Sequence, residues 1–191
     1  RGASITNLPS RTVFSRGIGR TFQHANLLPN MSVLENVALG AHLRGDPHMI
    51  GNVLASASRL NRQEEDKLLH EAARQLERVG LKDNLYMAAG NLALGQQRLA
   101  EIARALSGDP ILLLLDEPAA GLRYFEKTAL SSLLRQLRSE GMSILLVEHD
   151  MEFLMELADR VIVMDFGSLI ASGTPEQVQS DPAVRRAYLG D

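Results

Sequence analysis

Ile111-Leu112-Leu113-Leu114-Leu115-Asp116-Glu117-Pro118 is the stretch on which the reading of this chain turns. Five consecutive apolar residues match the length of one buried strand and fall far short of a membrane span. Such a strand delivers two adjacent carboxylates at its C-terminal end, the place where open α/β sheets hold ligands. In phosphoryl transfer one acid of such a pair holds Mg2+, directly or through water, and the next polarises the attacking water. A strand that ends in a solvated acidic turn explains the same residues equally well. The stretch therefore needs companions elsewhere in the chain before it implies chemistry.

Outward from it, strands and helices alternate. Downstream come a helix over 126–138 with Leu130, Leu133, Leu134 and Leu137 on one face, a stop at Gly141 and a strand over 144–147. A helix over 151–158 and a strand over 160–164 follow, then a tight turn at Asp165-Phe166-Gly167 into residues 169–171. Thr174-Pro175-Glu176-Gln177 combines an N-cap, Pro at the first helical position and a Gln that reaches back, so a short helix starts there. Upstream, residues 18–22 form a short apolar strand. Ser32-Val33-Leu34-Glu35 has the spacing of a capping box and opens a helix over 33–42. Residues 44–60 read as a loop, and Asn61 to Glu64 offers a second cap. Leu68, Leu69, Ala72, Leu76 and Val79 then recur at helical spacing up to Gly80. A last helix, over 96–106, carries Leu99, Ile102, Ala103 and Leu106 on one face and ends at Ser107-Gly108-Asp109-Pro110. This order predicts a mostly parallel sheet covered by helices, with a helical block inside the α/β framework.

Composition narrows the function. The chain has 191 residues, a net charge of −3 and no cysteine. These exclude a disulfide framework and a thiolate metal site, and leave no basic surface for nucleic acid. Seventeen of the 20 basic residues are arginine, and the three lysines are Lys67, Lys82 and Lys127.

Three further signals have chemistry of the same kind. Leu92-Ala93-Leu94-Gly95-Gln96-Gln97-Arg98 places a glycine just before a helix, where backbone N–H groups and the helix dipole favour a phosphate. His149, in Val147-Glu148-His149-Asp150, follows a strand, where an imidazole reaches a γ-phosphate and the attacking water. Gln23, in Arg20-Thr21-Phe22-Gln23, also follows a strand, and its amide oxygen suits Mg2+. Each of the three has an ordinary structural explanation when taken alone. His24, His42, His48 and His70 are assigned to that explanation.

In this order and spacing the four signals resemble the nucleotide-binding subunits of ABC transporters over essentially the whole chain. Gln23 falls at that family's Q-loop, and Leu92, Ala93, Leu94, Gly95 and Gln96 at its signature motif. Asp116 and Glu117 match its Walker B acids and His149 its switch histidine. The resemblance implies a P-loop NTPase (RecA-like) ABC ATPase core, α/β, formed by residues 1–40 and 109–191, with an inserted helical subdomain over 41–108. It implies ATP and Mg2+ as cofactors: Gln23 and Asp116 on the metal, Glu117 and His149 as catalytic residues, the signature motif on ATP across a dimer. The implied partners are a second ATPase subunit, transmembrane permease subunits and, indirectly, a substrate-binding protein, at the cytoplasmic face of the inner membrane. Ala89-Gly90-Asn91, Pro118-Ala119-Ala120-Gly121-Leu122, Gly173-Thr174-Pro175-Glu176 and Ala187-Tyr188-Leu189-Gly190 resemble the branched-chain amino acid importer branch, most of all the first of its two ATPases.

The chain departs from the family in three places. No G-x-x-x-x-G-K-[S/T] loop, the Walker A phosphate cradle, precedes Gln23, and no lysine occurs before Lys67. Together with the absence of an initiator Met, this leads to the expectation that about 60 residues, including the N-terminal strands, precede Arg1 in the intact protein. A chain without that loop is expected to bind and hydrolyse ATP poorly. Leu94 stands where the branch has an aromatic, and Arg123-Tyr124 where it has Asn-Pro in the D-loop, which crosses to the partner subunit. Two other functions share parts of this pattern. A non-catalytic docking module would tolerate the missing loop but has no use for Glu117 and His149. A DNA-repair-type ABC ATPase would carry heptads or a basic patch, and neither is present.

Overall fold

The computed structural model describes residues 2, 4–23, 26–42 and 59–189. The chain divides into two compact units, Arg1–Val147 and Glu148–Asp191. Most of the loop expected over 44–60, with His24 and His48, lies outside the described residues.

In the first unit, α1 (Ser10–Ser15) leads into β1 (Ile18–Arg20), and β2 (Leu112–Asp116) and β3 (Ser143–Val147) complete a three-stranded sheet. The strand order is β1-β2-β3 with every pair parallel, as alternating strands and helices predict. Gly19 faces Leu113, and Asp116 faces Val147. Leu113 and Leu115 are buried and Leu112 and Leu114 half-buried, so β2 is apolar on both faces, as a central parallel strand must be. β1 is shorter than the expected strand, and Phe22 and Gln23 lie in an irregular segment beyond its end.

Helices α2 (Val33–His42), α3 (Arg59–Arg78) and α4 (Leu94–Leu106) pack on one another and bury Val33, Val37, Ala72, Leu76, Ile102 and Leu106. Ser32 caps α2 as its sequence predicts: its N–H donates to Glu35 Oε2 at 2.8 Å, and the Glu35 N–H donates to Ser32 Oγ at 3.2 Å. Buried Asn36 accepts from the Leu28 N–H at 2.7 Å and donates to the carbonyls of Leu28 and Ser32, which organises the turn before that helix. α3 begins at Arg59, so Asn61 lies inside the helix instead of capping it; helical contacts extend past the first available cap. Gly80 ends the segment at φ 79°. α5 (Tyr124–Ser139) starts two residues before the expected boundary and buries Leu130, Leu133, Leu134 and Leu137.

In the second unit, Asp150 caps α6 (Met151–Leu157) by accepting from the Phe153 N–H at 3.1 Å. β4 (Val161–Asp165) and β5 (Ser168–Gly173) form an antiparallel hairpin whose turn holds Phe166 and Gly167 at positive φ. Val161 and Val163 pack with Val178, from α7 (Pro175–Ser180), and with Val184. Thr174 and Gln177 make both bonds of the expected capping box.

Candidate nucleotide site

β2 places Asp116 and Glu117 as the resemblance requires. Asp116 closes the strand, and the Glu117 N–H donates to the Val147 carbonyl at 2.9 Å, which carries the ladder one residue past the last strand position. The chain turns there, and Glu117 takes φ 46°. A side chain in the left-handed region costs about 1–2 kcal/mol, and such strain in a non-glycine residue is concentrated at functional sites. The strained residue here is the carboxylate that the sequence singles out as the base.

Gln23 reaches this carboxylate. Its Nε2 donates to Glu117 Oε2 at 2.8 Å, across 94 positions of sequence, because β1 lies beside β2 in parallel register. The same register brings the Arg20 guanidinium to within 3.5 Å of Asp116 Oδ2, and it also lies over the Phe22 ring, 5.2 Å from its centre. The sequence-predicted Gln23, Asp116 and Glu117 thus converge at the C-terminal end of β1 and β2. His149 lies two residues beyond the end of β3, in the second unit.

The five signature residues form the N-terminus of α4 and the turn before it. The helix begins at Leu94, two residues earlier than its apolar periodicity predicts, because the Gln96 side chain accepts from the Ala93 N–H at 3.1 Å and stands in for a cap. Leu92 is buried, and its carbonyl accepts from Gln97 Nε2 at 2.9 Å. Gly95 has a reason internal to the chain. A Cβ there would overlap the Glu126 carboxylate, whose other oxygen accepts from the Arg123 N–H at 2.8 Å. Leu94 is similarly close to Gly121, where a Cβ would lie 3.2 Å from its Cδ2. Leu94 and Arg123 therefore flank one contact between the start of α4 and the start of α5.

Sequence reasoning missed the side chains beneath this surface. Arg98 and Glu101, on the inner face of α4, are buried, with 8% and 2% exposure. Glu101 accepts from the Asn26 N–H at 2.7 Å and pairs with Arg104 at 3.1 Å. Burial pushes the Glu101 carboxyl above its usual range, against the opposing effects of the Asn26 N–H, Arg104 and Arg98. The available signal was charge at 98, 101 and 104 on a helix whose neighbours at 100, 102, 103 and 105 are apolar.

Comparison with known proteins gives the geometry a family. A family model described as ABC transporter matches residues 1–120. The chain belongs to that family. A second model, described as branched-chain amino acid ATP-binding cassette transporter, matches residues 168–191. The high-affinity branched-chain amino acid transport ATP-binding protein LivG of Escherichia coli is 40% identical over 192 residues, which cover all of this chain and 74% of LivG. BraF of Pseudomonas aeruginosa, described in the same terms, is 40% identical over 193 residues with the same coverage. Among solved structures, the ADP conformation of MJ1267, an ATP-binding cassette of an ABC transporter, superposes with a TM-score of 0.78 at 30% identity, over 99% of this chain and 74% of that one. The fold is therefore that of an ABC ATPase cassette, and the family implies ATP binding.

The cassette's residues fit one half of a nucleotide site. Asp116, Glu117 and the Gln23 amide gather hard oxygen donors and one hydrogen-bonded carboxylate, the donor set that suits Mg2+ and a water. The phosphate half is not matched. The sequence contains no glycine-rich loop ending in Lys-Ser or Lys-Thr. Among the described residues, no helix is long and apolar enough to cross a membrane.

Proposed function

We propose that this chain is the ATP-hydrolysing subunit of an importer for branched-chain amino acids, peripheral on the cytoplasmic face of the inner membrane. The observation that carries the reading is the Gln23–Glu117 hydrogen bond, made by a carboxylate held at a strained φ at the end of a buried strand. In this reading Glu117 accepts the proton of the attacking water, and His149 orients that water and the γ-phosphate. Asp116 and Gln23 hold Mg2+, which neutralises phosphate charge when bound. Leu92, Ala93, Leu94, Gly95 and Gln96 face ATP on a second ATPase subunit, and residues 41–108 serve as a helical subdomain toward the permease subunits. The substrate class rests on the 40% identity with LivG and BraF.

The 191 residues by themselves bind ATP weakly in this reading, because the loop that supplies most phosphate hydrogen bonds, each worth about 1.5–3 kcal/mol when charge-assisted, is not among them. Micromolar ATP affinity in the 191-residue chain, measured by calorimetry, would overturn this point.

Leucine uptake in bacteria whose own LivG-type ATPase has been deleted tests the function. Expression of this chain joined to the part of LivG that it does not cover should restore uptake, and Glu117→Gln should reduce it at least about a hundredfold, as expected for loss of a general base. Restored ATP hydrolysis without leucine uptake would reject the substrate and keep the ATPase. Stable assembly with the permease and no nucleotide turnover would replace the reading with a docking module.

A further inference from the structure

One helix, α4, carries the signature residues on its first turn and a buried charged cluster on its next two. Arg98 Nη1 donates to the Phe22 carbonyl at 3.2 Å. Glu101 Oε1 accepts from the Asn26 N–H at 2.7 Å, and Arg104 Nη1 donates to the Asn26 carbonyl at 2.8 Å. The two backbone positions held in this way stand immediately before Gln23 and three residues after it. The side chain of Gln23 itself points to Glu117.

Burying two ionised side chains is expensive unless their hydrogen bonds are satisfied, and a hydrophobic α4 face would be simpler if packing were the only requirement. Among the described residues, Arg98 Nε and Glu101 Oε2 have no hydrogen-bond partner, and Glu101 Oε2 lies 3.9 Å from Arg98 Nη1. The charges instead direct their bonds to main-chain atoms of one short segment, which fixes that segment's position relative to the helix.

We propose that Arg98, Glu101 and Arg104 are positioning residues: by anchoring the backbone at Phe22 and Asn26 to α4 they set the reach of the Gln23 side chain to Glu117. The proposal rests on the reading of Gln23 and Glu117 as parts of the nucleotide site. α4 is a continuous helix of 13 residues, so the anchors at its second and third turns hold Phe22 and Asn26 in fixed relation to one another.

The chain has no cysteine, so two introduced thiols report on this distance without background. In a Gln23→Cys, Glu117→Cys protein, dibromobimane, which fluoresces only after it has bridged two thiols, reads the proximity of positions 23 and 117. Adding Glu101→Ala or Arg98→Ala should slow bridging about tenfold, the shift expected from losing a hydrogen bond to a charged group. Arg98→Lys, which keeps a donor for the Phe22 carbonyl, should restore most of the rate. Arg74→Ala, which removes an exposed ion pair with Glu71 on α3, should leave bridging unchanged even if stability falls. Should the alanine variants not fold, Glu101→Leu, which keeps much of the side-chain volume and cannot accept from the Asn26 N–H, and Arg98→Lys give the same comparison, with Glu101→Leu slower and Arg98→Lys near the parent rate. An unchanged bridging rate in any folded Glu101 variant overturns the proposal. The assay needs no nucleotide, so the expected bridging rates in a protein that fails to hydrolyse ATP would reject only the function proposed above.

Discussion

Gly95→Ala should destabilise the protein through one named carboxylate, and removing that carboxylate should abolish most of the effect. The new Cβ overlaps the Glu126 side chain, which lies across the Gly95 Cα while accepting from the Arg123 N–H at 2.8 Å. Accommodating the methyl group requires Glu126 to leave its position. That forfeits a helix-capping bond at the start of α5 worth about 1 kcal/mol, together with a favourable carboxylate–dipole interaction of about 0.3–1 kcal/mol. Alanine returns at most about 1 kcal/mol of helix propensity, and less in a first turn than in a helix interior. The net expectation for Gly95→Ala is a loss of about 1 kcal/mol. Glu126→Ala alone loses the cap and also costs about 1 kcal/mol. In the double variant the methyl group enters vacated space, so the total should stay near that of Glu126→Ala, a coupling of about 1 kcal/mol between residues 31 positions apart. Urea denaturation of the four proteins, at constant m-value, measures it. Additivity within about 0.5 kcal/mol would refute the argument that Glu126 fills the space on the Cβ side of Gly95.

Gly40→Ala should lose about 1–3 kcal/mol in the same assay despite its helical position, because its Cβ meets the Arg104 backbone carbonyl, which cannot rotate away; a gain in stability would show that α2 and α4 can separate freely. Glu117→Gly should be about 1 kcal/mol more stable than Glu117→Ala, since glycine relieves the positive φ that alanine retains; equal stability would remove the evidence for strain. The pH dependence of unfolding should carry two opposite signatures. Glu101 has its folded pKa raised by burial, so its contribution is fully present below the ordinary value of 4.5 and is lost as pH rises through the raised folded value; Glu101→Gln should flatten stability in that window. Glu35 has its folded pKa lowered by the Ser32 hydroxyl and N–H, so its contribution is present above 4.5 and is lost as pH falls through the lowered value; Ser32→Ala should weaken the acid limb of the stability profile and leave the neutral limb unchanged in shape.

The sequence by itself determined the elements and the ends that carry chemistry. Leu112-Leu113-Leu114-Leu115 before Asp116 is a central parallel strand because only a strand covered on both faces is apolar at every position. Ser32 with Glu35 and Thr174 with Gln177 announced their helices, since a cap is a local bond between residues three apart. The spacing of Gln23, the signature residues and the two acids was also sufficient to name a family. Boundaries were less legible: α3 runs ahead of Asn61, and α4 begins at Leu94, where a Gln side chain replaces the usual hydroxyl cap.

What only the tertiary structure decided depends on residues far apart in sequence. The Gln23–Glu117 bond exists because β1 is parallel to β2 in a register that no local pattern states. The positive φ of Glu117, at the point where its N–H bonds Val147 on the neighbouring strand, is likewise visible only in the fold. The space on the Cβ side of Gly95 is taken by Glu126, 31 positions away in its own chain. Of Arg98, Glu101 and Arg104, which the helical pattern left unassigned, two are buried because the backbone at Phe22 and Asn26 supplies the partners that water would otherwise provide. Side-chain type and helical period are written locally, whereas the identity of a buried group's partner is fixed only when distant segments meet.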